Sequence, residues 1–313
     1  MWGQGVWGYF GIIILCTPTP LAAQHLVWND SVNVMNLKNL ADSGESIIRL
    51  RITQQLDYAL TLSSLFFINW EHEQNVKQVM VLHDFVYQCH VDNTRKFRFT
   101  QKITHHLGGQ YFFDSIFRFH VDDNILETRL EWKLRKNHGI FLSSIISTRL
   151  FNRYDFSLND SGNLVKKINS SFLTPMTGTF SGGFRFNWPR FGSLNFGLSS
   201  AKFTWIRDKQ IYEAQKTNIY YGVTSDKKNL VEYGFSLQLQ IDRDLVKWIH
   251  WNCDLLLFKN AAAPVDIIMR NLFTIRITRF LKTQFQTRIY YEEQISKKLQ
   301  LENIVSVGFS VRL

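Results

Sequence analysis

Between Val231 and Asp242 the chain alternates without a break. Val231, Tyr233, Phe235, Leu237, Leu239 and Ile241 oppose Glu232, Gly234, Ser236, Gln238, Gln240 and Asp242. In a chain that is 45% apolar, a given window of this length does so by chance roughly twice in ten thousand. The pattern returns at the C-terminus. There Leu299, Leu301, Val305, Val307, Phe309, Val311 and Leu313 share one face. From Leu281, the face Leu281, Thr283, Phe285, Thr287, Ile289, Tyr291 opposes Lys282, Gln284, Gln286, Arg288, Tyr290, Glu292. In the first half Leu126, Thr128, Leu130, Trp132 and Leu134 oppose Glu127, Arg129, Glu131, Lys133 and Arg135.

Period-two alternation alone also fits a soluble sandwich with one wet face. Length separates the two cases. Soluble strands run about 5–6 residues, whereas these patterns run about 11–15, and a tilted strand crossing a bilayer needs about 9–11. In hydrocarbon every backbone N–H and C=O must find a partner within the protein, so such strands must close into a barrel without a free edge. The expected fold is therefore all-β: a transmembrane antiparallel up-and-down barrel, apolar face to lipid and polar face inward.

The patterns predict about fourteen strands, near 46–56, 58–70, 78–91, 95–105, 110–121, 125–135, 139–151, 172–188, 193–206, 230–242, 246–258, 265–279, 281–291 and 299–313. A break at Asp57 is the weakest boundary, and removing splits of that kind lowers the count toward twelve. The two longest connections, Asn152–Ser171 and Ile206–Asn229, then fall on one side of the barrel. The tight links at Pro189–Gly192, Leu107–Gly109 and Phe280–Leu281 fall on the other. That is the asymmetry of outer-membrane barrels, with short periplasmic turns and long external loops. Trp70, Trp132 and Trp188 near the ends of patterns, with Trp205 and Tyr290–Tyr291 opposite, suit aromatic girdles at the two interfaces.

The N-terminus reads as an export signal. Val6–Leu15 is an apolar core, and Leu21-Ala22-Ala23 before Gln24 resembles a small-residue cleavage site. The core lacks a preceding Lys or Arg and is too short to span a ~30 Å hydrocarbon layer. Cys16 follows Leu15 rather than a small residue, which argues against lipidation. The expected organisation is a cleavable signal over 1–23, a periplasmic N-terminal segment or plug over 24–45, and an outer-membrane barrel over 46–313. The 24–45 segment, containing Trp28, alternates too little to be read as a strand. Cys89 and Cys253, both expected on outward faces, make no disulfide framework.

The net charge of +10 raises the question of nucleic acid, but Lys and Arg are scattered singly among acids and form no recognition signature. No nucleic-acid partner is expected; outer-membrane lipid is, with barrel-assembly machinery during biogenesis. No His-x-x-x-His, Cys-x-x-Cys, Gly-x-Ser-x-Gly or phosphate-loop pattern occurs, so no catalytic, metal or cofactor residue is nominated. His105 and His106 are adjacent and point to opposite faces. The candidate residues are lumen-lining: Asp114, Arg118, His120, Arg129, Glu131, Arg185, Glu232, Arg276, Arg288 and Glu302. Asp114, Arg118 and His120 form the nearest thing to a cluster, readable as an interior hydrogen-bond network. Further inward charges are expected at Arg49, Arg51, Lys133, Arg135, Arg270, Lys282 and Arg312, against Asp57, Asp122, Glu127, Asp242, Asp254 and Glu292. Mixed signs at close quarters favour cross-strand ion pairs over a single-sign selectivity ring.

The second half resembles an uncharacterised outer-membrane barrel family of Bacteroidota, a domain of unknown function. Phe172-Leu173-Thr174-Pro175, Tyr221-Gly222-Val223, Leu255-Leu256-Leu257-Phe258-Lys259-Asn260 with Val265-Asp266, Thr287-Arg288-Ile289-Tyr290-Tyr291-Glu292 and Val307-Gly308-Phe309-Ser310 carry the likeness. It implies the fold and supplies no activity. The last strand also resembles the signal read by barrel-assembly machinery, although it ends on Leu313 where an aromatic residue is commoner. The functional expectation is a narrow pore or transporter for a small molecule. An outer-membrane enzyme such as a lipase, or a structural or secretion-accessory barrel, are the alternatives.

Overall fold

The computed structural model describes residues 32–37, 48–68, 78–93, 96–111, 117–158, 164–189, 191–215, 217–260, 264–293 and 296–312. The export signal, Trp28, Trp70 and Asp114 lie outside these residues, as do the side chains of Arg49, Arg118, His120 and Arg312. The strands are β1 (Val32–Leu37), β2 (Ile48–Ile68), β3 (Gln78–Asn93), β4 (Phe97–Tyr111), β5 (Phe117–Arg135), β6 (His138–Thr148), β7 (Arg153–Leu158), β8 (Leu164–Ser170), β9 (Met176–Trp188), β10 (Gly192–Trp205), β11 (Ile219–Tyr220), β12 (Val223–Thr224), β13 (Asn229–Val246), β14 (Ile249–Asn260), β15 (Asp266–Arg276), β16 (Leu281–Glu292) and β17 (Ser296–Arg312). One short helix, α1 (Gln210–Gln215), lies between β10 and β11.

Twelve of these strands form a closed transmembrane barrel, in the order β2-β3-β4-β5-β6-β9-β10-β13-β14-β15-β16-β17. Every neighbouring pair is antiparallel, and β17 returns to β2 from Leu301↔Ile68 to Arg312↔Asp57. Closure is what a long, period-two chain needs in lipid, because it leaves no row of unpaired amides. The seam is staggered: β17 covers only the part of β2 from Asp57 onward, whereas β3 pairs down to Leu50. Such stagger accompanies strand tilt in any closed barrel. Beyond the end of β17, β1 takes over along the same edge, pairing Val32–Leu37 with Ile48–Thr53. The expectation that 24–45 holds no strand is therefore corrected for six of its residues; the rest lie outside the described set.

The polarity is inverted relative to a soluble protein. Leu142 is 63% exposed on the outer face, Phe309 67% and Tyr233 75%, while Thr61, Gln238, Glu131, Glu302 and Ser306 are buried inside. Trp132, Trp188 and Trp248 are exposed at the rim of short turns, with Phe191 and Phe280 beside them. That row suits the headgroup level of a bilayer.

Two expected splits are corrected, and both lowered the count from fourteen to twelve. Asp57 lies within β2, where its inward side chain accepts a 2.6 Å hydrogen bond from Gln55. The phase of alternation does not change there, so nothing breaks the strand. Leu107–Gly109 is not a turn but part of β4. A Cβ on Gly108 would lie 2.7 Å from Met80 Sδ and 3.2 Å from Val121. This glycine makes room for the small apolar cluster Met80, Leu82, Val121 and Ile304 inside the outer half of the barrel. Opposite it, β5 carries a bulge: Gly108 pairs with Val121 and Gly109 with Phe119, leaving His120 as the extra residue. A bulge changes the phase of alternation as a turn would, but keeps the strand continuous. Because both lost boundaries precede residue 138, the long connections still share one rim and the remaining short turns the other.

The belt makes a quantitative demand. Leu142→Arg lowers folding stability in lipid by about 2–4 kcal/mol if the position is near the midplane, whereas an exposed position in water shifts by about 0.5 kcal/mol or less. Urea unfolding in lipid vesicles measures the difference.

Candidate functional site

Inside the barrel, polar side chains from strands far apart in the sheet meet. Arg129 on β5 donates to Gln238 Oε1 on β13 at 3.2 Å, with β6, β9 and β10 lying between them in the wall. Arg288 on β16 meets Asp123 on β5 at 2.6 Å, with β17, β2, β3 and β4 between. Lys202 on β10 meets Glu292 on β16 at 2.6 Å and Asp266 on β15 at 2.7 Å. These four contacts cross the lumen rather than run along its wall.

Around each bridge the network is dense. Toward the short-turn rim, Glu131 is 3% exposed. It takes Arg185 Nε at 3.3 Å and Asn187 Nδ2 at 3.1 Å. Gly139 on the intervening β6 permits this approach, since a Cβ there would lie 3.2 Å from Glu131 Cγ. Arg185 also donates to Asn195 Oδ1 at 2.8 Å, and Asn195 donates to Gln238 at 3.0 Å. Gln238 in turn donates to Asp254 at 3.1 Å. Asp92 joins Arg98 and Lys133. Higher up, Glu302 shares Arg288 with Asp123 at 3.2 Å, and His106 contacts Asp84 at 2.6 Å. Near the long-loop rim, Glu232 accepts from Asn260 at 2.6 Å and stands 3.9 Å from Lys202.

Of the expected lumenal residues, Glu131 thus pairs with Arg185, Glu302 with Arg288, Arg129 reaches Gln238, and Glu232 accepts from Asn260. Arg276 is not brought into that network: it pairs with Asp244 at 3.2 Å at the exposed short-turn rim. Arg135 is likewise exposed at that rim. Asp122 is corrected. It faces away from the lumen, where its carboxylate accepts from the amides of Leu150 and Phe151 at 2.8 and 2.6 Å. Asp123 is the inward residue. Lys202 was not anticipated, yet the sequence signals it. Outward Phe196 and Leu198 give way to Ala201, Phe203 and Trp205 only if the phase slips at Ser199–Ser200, where the register shifts.

The long connections cover one rim. Ile206, Ile211, Tyr212, Tyr220 and Val223 form a buried apolar cluster, with Ile168 of β8 against it. Tyr212 donates to Val223 O at 3.1 Å and Tyr220 to Asn169 O at 2.6 Å, tying the two loops together. Burial, with Asp226 nearby, pushes the Tyr212 phenol above its ordinary pKa and keeps it a donor. Besides an open recess at the short-turn rim beside Lys136 and Asn137, two cavities lie within the described part of the barrel. One of about 280 Å³ lies toward the short turns, lined by Arg98, Lys102, Arg129 and Arg185 against Glu127, Glu131, Asp242 and Asp254. The other, about 190 Å³, lies beneath the loops.

No family model and no curated protein matches the chain. Among solved structures it is similar to the translocator domain of the autotransporter NalP from Neisseria meningitidis, at 6% identity and a TM-score of 0.39 over 82% of this chain and 88% of that one. It is also similar to the NanC porin, at 7% identity and a TM-score of 0.38 over 80% and 99%. A third is an outer-membrane channel from Pseudomonas putida F1, at 9% identity and a TM-score of 0.36 over 88% and 100%.

The network makes its own prediction. Arg288→Met strands Asp123 and Glu302 in the interior and costs about 3–5 kcal/mol, as removal of one partner from a buried ion pair does. Adding Asp123→Asn and Glu302→Gln recovers most of that loss, a non-additivity that unfolding of the single, double and triple variants measures.

Proposed function

We propose that this protein is an outer-membrane barrel that acts as a narrow pore or transporter for a small molecule. The observation that carries the reading is a lumen crossed by the Arg129–Gln238, Arg288–Asp123 and Lys202–Glu292 contacts yet still holding polar cavities. A twelve-strand barrel lies between eight-stranded barrels, which side chains can fill, and porins of about 16–18 strands, which hold water channels. Here long side chains reach across, so passage requires small solutes or displacement of the bridges. The rim of long loops is taken as external and the short-turn rim as periplasmic. Residues 1–23 are taken as a cleaved export signal, and 24–45 as a periplasmic segment whose β1 extends the rim. Membership in the Bacteroidota barrel family, and insertion by assembly machinery that reads β17, belong to the same proposal.

Short epitopes inserted within 206–228 are expected to label on intact cells, and one at Pro189–Gly192 is not; the reverse pattern inverts the orientation. In planar bilayers the intact protein is expected to show low or absent steady conductance. Arg129→Ala combined with Gln238→Ala is expected to raise it, and deletion of Gln24–Glu45 raises it further if that segment obstructs the lumen. Large, stable currents from the intact protein refute the narrow lumen.

A further inference from the structure

The two cavities differ in charge. The one near the short turns is balanced, with four cations facing four carboxylates. The one beneath the loops is lined by Arg149, Arg153, Arg270 and Arg288, with Asp123 the only carboxylate among the described residues of its lining. Asp123 is engaged by Arg288 at 2.6 Å, and Arg288 also holds Glu302 at 3.2 Å. Arg149 and Arg270 make no ion pair within 4.0 Å with any described carboxylate, although at longer range both act on Asp123, Arg149 also meets the field of Asp122, and Arg270 that of Glu127 and Asp254. Guanidinium groups thus outnumber carboxylates in the described lining of this cavity, while at the same rim Lys202 is held by Glu232, Asp266 and Glu292. Arginine is suited to such a role, because its planar fork matches carboxylate and phosphate oxygens in pairs.

Two further observations point to a ligand. Ser170 lines this cavity, is 2% exposed, and its hydroxyl has no hydrogen-bond partner among the described residues. Tyr221 also lines it and holds φ of 51°, followed by Gly222 at 73°, in the tight turn joining β11 and β12. Such a turn asks for positive φ at both central residues and favours Asn or Gly at the first. A bulky side chain there is conformationally disfavoured and marks a position that calls for a functional explanation. Tyr220 and Tyr290 complete the aromatic part of the wall.

We infer that the cavity beneath the loops binds a small solute carrying a carboxylate or phosphate group, held by Arg149 and Arg270 and flanked by the Tyr221 ring. The inference rests on the pore reading only for the site's biological use: it would select anions at the entrance. At about 190 Å³ the site is smaller than the roughly 300–1,000 Å³ of pockets for drug-sized ligands. A single oxyanion or a small aromatic acid fits that scale better than an oligomer.

Isothermal titration calorimetry on the purified full-length protein in detergent tests this, with inorganic phosphate and benzoate as probes and choline chloride as the cationic control. The expected result is saturable binding of at least one anion and none of choline. Arg149→Gln and Arg270→Gln each weaken that binding at least tenfold while the heat-dependent shift in electrophoretic mobility persists. Tyr221→Gly keeps the backbone conformation and removes the ring, so it weakens benzoate more than phosphate, and it serves if an arginine variant fails to fold. Absence of saturable anion binding overturns the inference, as does unchanged affinity in the folded variants. Anion binding by a protein that stays non-conducting even with Arg129→Ala and Gln238→Ala combined would remove the pore and leave the site, whereas conductance of that variant without anion binding to the intact protein would do the reverse.

Discussion

The structure depends on the pairing of backbone amides away from water. An unpaired peptide group in hydrocarbon costs several kcal/mol, so a chain that places long strands in lipid must return its last strand to its first. The β17–β2 seam is that return. The outward apolar row and the inward polar row accompany it. Even β1 fits this logic, since it pairs the edge of β2 that the staggered β17 leaves uncovered.

Closure fixes a bore, and the bore sets the problem of what fills it. The interior is furnished with Arg, Lys, Asp and Glu that would be costly to bury alone. They are tolerated because nearly every one meets an opposite charge or an amide from another strand, as Glu131 meets Arg185 and Asn187. Contacts such as Arg288–Asp123 join distant parts of the wall and stiffen the barrel while narrowing it. The exception to this balance, the arginines beneath the loops, gains significance because balance prevails near the other rim.

Most of the fold was legible because alternation is a local signal with a global consequence. The faces of Val231–Asp242 and Leu281–Glu292 are those of β13 and β16. Errors arose where alternation changes phase or meets an inward acid. A bulge and a turn look alike in a sequence, so the phase change around His120 was read as a boundary, and Asp122 was placed inward instead of Asp123. Gly108–Gly109 resembled a turn because glycine serves both turns and close packing. The lumenal residues were legible by face, but their partners were not. Whether Arg129 reaches Gln238, more than a hundred residues away in sequence, depends on strand order, stagger and side-chain length together. The asymmetry between the two cavities was invisible for the same reason: it is a property of height within the barrel, which no single strand reports.

The protein is an inside-out barrel in lipid with a polar interior. Nitroxide labels placed singly at each position from Val231 to Asp242, with the protein reconstituted in vesicles, test it most directly by collisional relaxation. The account requires a period-two oscillation. Oxygen, concentrated in hydrocarbon, should relax labels at Val231, Tyr233, Phe235, Leu237, Leu239 and Ile241 more strongly than those at the alternate positions, and a water-soluble nickel chelate should reach the lipid-facing set poorly. Equal oxygen relaxation on both faces, or free access of the chelate to Phe235 and Leu237, would contradict it.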